Sequence, residues 1–306
     1  ITPGQPDEYL TDRLTDEAIR FIRRSAHRPF FLYLSHYAVH NPQQSRDHWT
    51  QHFTAKLRSM TGQDGPEFED WRGRRVRVQQ NQPVYAGMIA SADEGLARIV
   101  DELKQLRLYD NTVIIFTSDN GGLSTAEGTP TSNRPLAGGK GWLNEGGIRV
   151  PLIIRWPGVT RPGSVCREPV ISNDLFPTIL SMADAPQRPE LHCDGLDLTP
   201  LLKGERSRRR DALYWHYPHY SNQGCTPCGA VREGSLKLIE WYEDGHCELY
   251  DLDKDIGETR DLSGTHAEDV HRLRTRLADW RVAVGARMPR KPNGSETGRT
   301  PASGSA

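Results

Sequence analysis

The spacing of apolar residues predicts three long helices and one short one. In each segment an apolar residue recurs every three or four positions, which would present a single apolar stripe to a core. The long helices are predicted over residues 11–24, 85–103 and 266–284, and the short one over residues 173–183. Ser172 or Asn173 is suited to cap the short helix, and Gly285 is suited to end the last long one.

Short runs of β-branched and aromatic residues predict strands between these helices. The runs lie at residues 30–35, 112–117 and 150–155. Residues 112–117 (Thr-Val-Ile-Ile-Phe-Thr) are apolar almost throughout, which is typical of a central strand buried on both faces. Because helices alternate with buried strands, the pattern predicts an α/β fold with a sheet flanked by helices.

The last third of the chain follows a different pattern. Short segments at residues 230–232, 236–241 and 247–251 predict antiparallel strands, with Gly234 and Gly245 in the hairpin turns between them. These strands would form a small antiparallel sheet, and the last predicted helix would cover one face of it. This arrangement is expected of a separate subdomain.

Composition divides the chain into three predicted parts. Residues 1–208 would form the larger α/β domain and residues 209–287 the small subdomain. Residues 288–306 are rich in Gly, Ser, Pro and basic residues and are expected to be disordered. Since Ile1 is neither an initiator methionine nor the start of a signal peptide, we expect a processed product or a fragment of a longer reading frame.

The charge balance argues against two classes of partner. Lys and Arg number 39 and Asp and Glu number 40, so nothing in the net charge favours nucleic acid or a membrane surface. No apolar run reaches the roughly 18 residues that a transmembrane helix needs. The sequence does not indicate a protein partner.

The five cysteines include one closely spaced pair, Cys225 and Cys228. This spacing suits half of a zinc site, but no second cysteine pair with zinc spacing accompanies it. A local disulfide and two plain thiols are the other interpretations. An odd number of cysteines cannot all be paired within one chain.

Three polar motifs carry candidate chemistry. Asp119 and Asn120 follow a predicted strand and offer hard oxygen donors suited to calcium or magnesium, although Asp-Asn-Gly-Gly is also good turn sequence. Lys140, flanked by glycines, presents a cation on an open backbone. His40 lies a few residues beyond the predicted strand at residues 30–35, where an imidazole can donate a proton to a leaving group.

These motifs occur in one order along nearly the whole chain, and together they resemble the type I sulfatases. The matching segments are residues 29–40, 85–93, 111–121, 139–151, 173–178, 194–198 and 249–258. The resemblance implies an alkaline-phosphatase-like mixed sheet flanked by helices, with its amino-terminal part absent from this sequence, followed by a small antiparallel sheet and helix. It also implies a periplasmic or secreted protein.

The resemblance assigns a role to each motif. Asp119 and Asn120 match two calcium ligands, and two Asp near the start of such proteins would supply the rest. Lys140 matches a lysine that holds the sulfate group, and His40 matches the histidine that protonates the departing alcohol. The nucleophile would be a formylglycine made within a Cys/Ser-x-Pro-x-Arg motif.

The chain departs from the family at the nucleophile. Its only Cys-x-Pro sequence begins at Cys225, lacks the required Arg and comes after the Asp-Asn motif, which is the wrong order. We therefore predict no nucleophile in this chain, weak calcium binding, and no turnover by the chain alone. The resemblance implies that the parent protein hydrolyses a sulfate ester, and we favour a carbohydrate over a small aryl alcohol as the group that carries the sulfate.

His216 and His219 stand in an aromatic segment that lies near the substrate rim in glycan-acting sulfatases, so the resemblance implies that they contact a sugar. An aromatic domain junction is the alternative.

Two other functions of the whole protein stay open. One is a binder of sulfated glycans that does not cleave them. The other is a related phosphatase or phosphodiesterase, which would use two zinc ions and an Asp-His pair where this chain has Asp119 and Asn120.

Overall fold

The computed structural model describes residues 4, 7–61, 65–205 and 210–289. The chain divides into two units between Arg210 and Asp211. The boundary predicted between residues 208 and 209 falls outside the described residues, as does almost all of the predicted tail, so the domain limits stay predictions.

Helices α1 and α3 build the core of the first unit. Ala18 and Ile22 of α1 pack with Ile99 and Leu103 of α3, and each of these side chains is at most 9% exposed. These are the apolar stripes that the residue spacing predicted, so both long helices are confirmed. The helices of this unit are α1 (Leu10–Ser25), α2 (Asp47–Ser59), α3 (Pro83–Gln105), α4 (Glu145–Ile148), α5 (Leu175–Met182) and α6 (Thr199–Leu202).

Two antiparallel strand pairs accompany these helices. Strands β1 (Phe68–Trp71) and β2 (Arg74–Arg77) form a hairpin within the polar segment that precedes α3. Strands β3 (Ile114–Thr117) and β4 (Leu152–Arg155) pair with each other. A central strand was predicted at residues 112–117. This was wrong for the described residues, because among them β3 pairs with β4 on one edge and with no strand on the other.

Residues 30–35 are extended but do not form the predicted strand. Phe30, Leu32 and Leu34 pack against the α1–α3 core. The side chains between them point outward, and Phe31 is 67% and Tyr33 80% exposed. This alternation fits a strand, but within the described parts of the chain no backbone ladder pairs with the segment. Apolar alternation sets the two faces of a strand and does not supply its hydrogen-bonding neighbour.

The second unit is a four-stranded antiparallel sheet with one helix, and three of its strands and the helix were predicted from the sequence. Its elements in chain order are β5 (Leu213–Tyr217), β6 (Cys228–Glu233), β7 (Leu236–Trp241), β8 (Cys247–Asp251) and α7 (Ala267–Ala283). Neighbouring strands in the chain are neighbours in the sheet. Leu273 and Leu277 of α7 pack fully buried on Val231, Leu238 and Leu249. Strand β5 was not predicted.

A buried ion pair lies in this second unit. The ammonium of Lys237 on β7 stands 3.0 Å from a carboxylate oxygen of Glu258, and both side chains are 0% exposed. Removal of two charges from water is costly unless they remain paired. The pair therefore fixes the segment that follows β8 against the sheet.

Cys225 and Cys228 lie close together at the start of β6. Their sulfur atoms are 3.6 Å apart, and the two residues are 1% and 0% exposed. They are thiols in contact and not a disulfide. In the described residues, no helix combines the length and the apolar character needed to cross a bilayer.

Candidate active site

Asp119 and Asn120, the Asp-Asn pair, stand just beyond the carboxyl end of β3. Asp119 is exposed and Asn120 is half-buried. One carboxylate oxygen of Asp119 accepts a hydrogen bond from the Asn120 backbone amide at 2.9 Å, and the Asn120 side-chain nitrogen donates to the Gly121 carbonyl at 2.8 Å. The second Asp119 oxygen and the Asn120 amide oxygen are the ligands that this segment offers to a cation.

One backbone hydrogen bond holds the lysine loop, residues 138–142, beside the segment that follows the Asp-Asn pair: the Lys140 amide donates to the Gly122 carbonyl at 3.0 Å. A second bond, from the Gly121 amide to the Gly147 carbonyl at 2.9 Å, joins the same segment to α4. Lys140 itself is half-buried. The structure therefore brings the backbone of the lysine loop next to the backbone of the segment that follows the Asp-Asn pair.

The glycines of these segments permit this close approach. A methyl group on Gly121 would lie 1.7 Å from the Gly146 carbonyl oxygen, and one on Gly139 would lie 2.4 Å from the Gly122 carbonyl oxygen. Real Cβ atoms do not come so close to an oxygen, so any side chain would push the two segments apart. The glycines in this motif thus set the distance between the Asp-Asn pair and Lys140.

Asn133 joins the same segments through its side chain. Its amide oxygen accepts from the Gly122 amide at 3.0 Å, and its nitrogen donates to the Gly122 carbonyl at 2.8 Å and the Gly138 carbonyl at 3.0 Å. Asn133 was not among the residues predicted for the site. Its hydrogen-bond partners are backbone groups that the fold brings near, and no local sequence pattern predicts these contacts.

His40 reaches this region through its neighbour in the chain. Asn41 donates from its side chain to the Glu127 carbonyl at 3.1 Å, and Glu127 belongs to the loop that leaves the Asp-Asn pair. The exposed His40 ring uses Nδ1 toward the Asn41 carbonyl at 2.9 Å. A carbonyl only accepts, so Nδ1 carries the proton and Nε2 is the nitrogen left for a ligand. Within the residues that the structure describes, no hydrogen bond joins His40 to Lys140 or to the Asp-Asn pair.

His36 differs from His40 in its surroundings. Its Nδ1 atom is buried and has no hydrogen-bond partner among the residues that the structure describes. Burial lowers the pKa of the His36 imidazole below its usual value, because desolvation penalises the charged form. His36 is therefore poorly suited to carry a proton at neutral pH.

The oxygen donors fit a hard cation only in part. Calcium takes about six to eight oxygen ligands. The Asp-Asn pair offers one carboxylate and one amide oxygen, and across the described ranges no group of three or more His, Cys, Asp or Glu is placed to hold a metal. The remaining ligands of any such ion would come from elsewhere.

In the second unit, the two histidines of β5 and its following loop have different environments. Both ring nitrogens of His216 have partners: Nδ1 lies 2.8 Å from the Tyr242 hydroxyl and Nε2 lies 2.9 Å from the Arg287 carbonyl. His219 is exposed, with its ring 5.6 Å from the Tyr217 ring in a T-shaped arrangement. Of the two, His219 has its nitrogens better placed for an external ligand.

The family model named Sulfatase matches residues 2–185, which is more than half of the 306 residues. The chain belongs to the sulfatase family. A second model, N-sulphoglucosamine sulphohydrolase C-terminal, matches residues 139–283. The resemblance found in the ordered motifs is therefore confirmed.

Individual relatives give the same result. A sulfatase of Formosa agariphila is 32% identical over 282 residues, which cover 86% of this chain and 47% of that protein. The steryl-sulfatase of Homo sapiens is 36% identical over 253 residues, covering 80% of this chain and 36% of the human protein. The crystal structure of Ps i-CgsB in complex with k-i-k-neocarrahexaose matches with a TM-score of 0.72 and 28% identity, covering 91% of this chain and 56% of that one.

The structural match confirms the predicted fold class. The chain described here combines an α/β unit of the alkaline-phosphatase-like kind with a carboxyl-terminal antiparallel sheet and helix. The chain spans less than half the length of the two curated relatives. The comparisons therefore cover the Asp-Asn pair, Lys140 and His40, and much of each relative lies outside the compared part.

Proposed function

We propose that the protein to which this chain belongs hydrolyses sulfate esters, and that this chain supplies one side of its active site. The observation that carries the proposal is the hydrogen bond between the Lys140 amide and the Gly122 carbonyl at 3.0 Å. It supports the proposal because it holds the backbone of Lys140 beside the segment that follows the Asp-Asn pair, in a chain of the sulfatase family.

We propose calcium as the cation at Asp119 and Asn120. These residues provide two of its oxygen ligands, and two Asp from an amino-terminal segment would provide others. When bound, the ion withdraws negative charge from the sulfuryl oxygens of the ester. The Lys140 ammonium acts on the same oxygens, since a fixed cation stabilises charge that develops during the reaction.

His40 is proposed to protonate the departing alcohol. Because Nδ1 is directed to the Asn41 carbonyl, the proton would leave from Nε2 of the doubly protonated ring. The nucleophile is proposed to be a formylglycine in an amino-terminal segment that this sequence does not include. The 306-residue chain alone would then bind a substrate without turning it over.

The substrate is proposed to be a sulfated carbohydrate. Support comes from Ps i-CgsB, which was solved with k-i-k-neocarrahexaose, and from the match to the N-sulphoglucosamine sulphohydrolase model. His219 is proposed as a sugar contact in preference to His216, whose ring nitrogens already have protein partners. A periplasmic or secreted location is proposed on the family resemblance alone.

The test compares the complete protein with the 306-residue chain. Sulfate release is measured on a sulfated oligosaccharide and on a chromogenic aryl sulfate. The proposal expects release by the complete protein, a preference for the oligosaccharide, and no turnover by the chain alone. Tight binding of the oligosaccharide by the complete protein with no sulfate release would instead favour a non-catalytic binder.

A further inference from the structure

The β1–β2 hairpin has one face toward the lysine loop and one face away from it. In an antiparallel pair, directly opposed residues share a face, and alternate residues along a strand share it too. Trp71 is opposed by Arg74, and Glu69 by Val76. These four residues therefore form one face of the hairpin, which we call the loop-facing side.

Two contacts fix the loop-facing side against the lysine loop. The outer edge of the Trp71 indole lies 3.0 Å from the place that a Cβ atom would take on Gly138, and its ring centre is 4.7 Å from that of Trp142. Glu69 forms an ion pair with Arg134. The hairpin thus packs on the residues that flank Lys140.

Arg74 is the cation that the loop-facing side leaves exposed. Its side chain is open to solvent, and no ion pair engages it within the described part of the chain. Arg75 and Arg77 lie on the opposite side, where their guanidinium groups cover the Phe68 ring at 3.7 and 4.5 Å from its centre. Arg72, in the turn, places its guanidinium over the Trp71 ring at 5.1 Å from its centre. Arg74 is therefore the hairpin arginine whose guanidinium covers no aromatic ring among the described residues.

Arg74 is linked to the lysine loop through Trp71. Opposed residues in a strand pair have Cβ atoms about 5 Å apart, so Arg74 stands close to Trp71. Gly138, which the Trp71 indole approaches, is two residues from Lys140, at most about 7 Å along the chain. The exposed Arg74 therefore lies on the hairpin face that packs beside the loop of Lys140.

We propose that Arg74 is a second anion-binding residue of the sulfatase site, and that it binds a sulfate or carboxylate group on a sugar unit next to the one held at Lys140. The substrate class is accordingly a glycan with anionic groups on neighbouring units. A guanidinium suits this role because its planar donors match the oxygens of such groups in pairs. The inference rests on the proposed function for the position of the first sulfate.

The test measures binding, which needs no turnover. The 306-residue chain is titrated calorimetrically with a disaccharide sulfated on one unit and with the same disaccharide sulfated on both units. We expect the doubly sulfated sugar to bind about tenfold more tightly. Arg74→Gln should abolish this preference and leave affinity for the singly sulfated sugar unchanged. Arg75→Gln, which removes the same charge from the other side of the hairpin, should keep it.

Three results would overturn the inference. They are absence of a preference in the unmodified chain, a preference that survives Arg74→Gln, and equal losses in the two variants, which would indicate general charge attraction. Unchanged unfolding midpoints confirm that both variants are folded. Failure of the complete protein to release sulfate, with the preference intact, would overturn the proposed hydrolysis and leave the role of Arg74 standing.

Discussion

The amide of Lys140 donates a hydrogen bond to the carbonyl of Gly122 at 3.0 Å, and this contact helps to join two sequence motifs that are separated by the loop between them. Gly122 directly follows Gly121, whose own amide is bound to Gly147. The separation between the Asp-Asn pair and the lysine is thus set by backbone packing. Substitutions that enlarge a residue in this packing should disturb the site without removing any charged group.

Gly139→Ala tests this packing. The added methyl would meet the Gly122 carbonyl oxygen at 2.4 Å and the Ser124 hydroxyl oxygen at 2.5 Å. We expect a loss of about 1–3 kcal/mol in the free energy of unfolding, because crowding in a packed region forces the backbone to shift. Denaturant unfolding measures it.

Gly65→Ala is the matched control, since its methyl would approach nothing closer than 3.9 Å, at the Gln79 side chain. It should leave the unfolding midpoint almost unchanged. Equal midpoints for the two variants would contradict the idea that the glycine at position 139 permits the close approach.

Lys237→Met should strongly destabilise the second unit. It removes the ammonium that pairs with the buried Glu258 carboxylate, and loss of one partner of a fully buried pair costs about 3–5 kcal/mol. The double variant Lys237→Met, Glu258→Gln should recover part of this loss, because no buried charge remains. Chemical denaturation of each variant measures the free energies of unfolding.

Lys254→Met provides the contrast. Lys254 forms an ion pair with Asp251 but is 86% exposed, and exposed pairs contribute little to stability. We expect almost no change in its unfolding midpoint. A loss for Lys237→Met no larger than that for Lys254→Met would show that the Lys237–Glu258 pair does not hold this unit together.

Cys247 should be slow to react with alkylating reagents. Burial raises the pKa of the Cys247 thiol to about 11, and the nearby Glu240 carboxylate acts in the same direction. Little thiolate is present at pH 8, and the thiolate is the reactive form. Mass spectrometry after brief iodoacetamide treatment should find the exposed Cys166 and Cys193 modified first.

The same pKa has a consequence for stability. The folded protein holds the Cys247 proton more tightly than the unfolded chain does. The contribution of this proton to the free energy of unfolding is therefore complete below the thiol pKa of the unfolded chain and is lost as the pH rises toward about 11. In Cys247→Ala, the free energy of unfolding should change less with pH over this range. Alkylation of Cys247 at pH 8 as fast as that of Cys166 would contradict the raised pKa.

The sequence predicted elements whose signal is local. The apolar stripes of α1, α3 and α7 are periodic, and Gly285 follows α7 with a φ of 63°, the left-handed conformation that ends many helices. The motifs around Asp119, Asn120 and Lys140 were also visible, since their residue types alone suggest a cation and an anion site. His40 was selected over His36 on neighbouring residues only.

Features that depend on distant partners were not predicted. Asn133 acts through backbone groups of other segments, and residues 30–35 have the alternation of a strand without its ladder. The β1–β2 hairpin had one local sequence signal that the prediction did not use, Gly73, which lies in the turn with a φ of 68°. The position of the hairpin against the lysine loop depends on tertiary contacts, which the sequence did not predict.

Sulfate release by the complete protein with Lys140→Ala tests the central claim most directly. The control is Lys203→Ala, which removes an exposed lysine of the same unit. We expect kcat/KM on a sulfated oligosaccharide to fall about 100- to 1000-fold for Lys140→Ala, as when a fixed charge-stabilising group is removed from an active site, and to stay unchanged for Lys203→Ala. A loss below about tenfold for Lys140→Ala would contradict a sulfate site built on the Asp-Asn pair and Lys140.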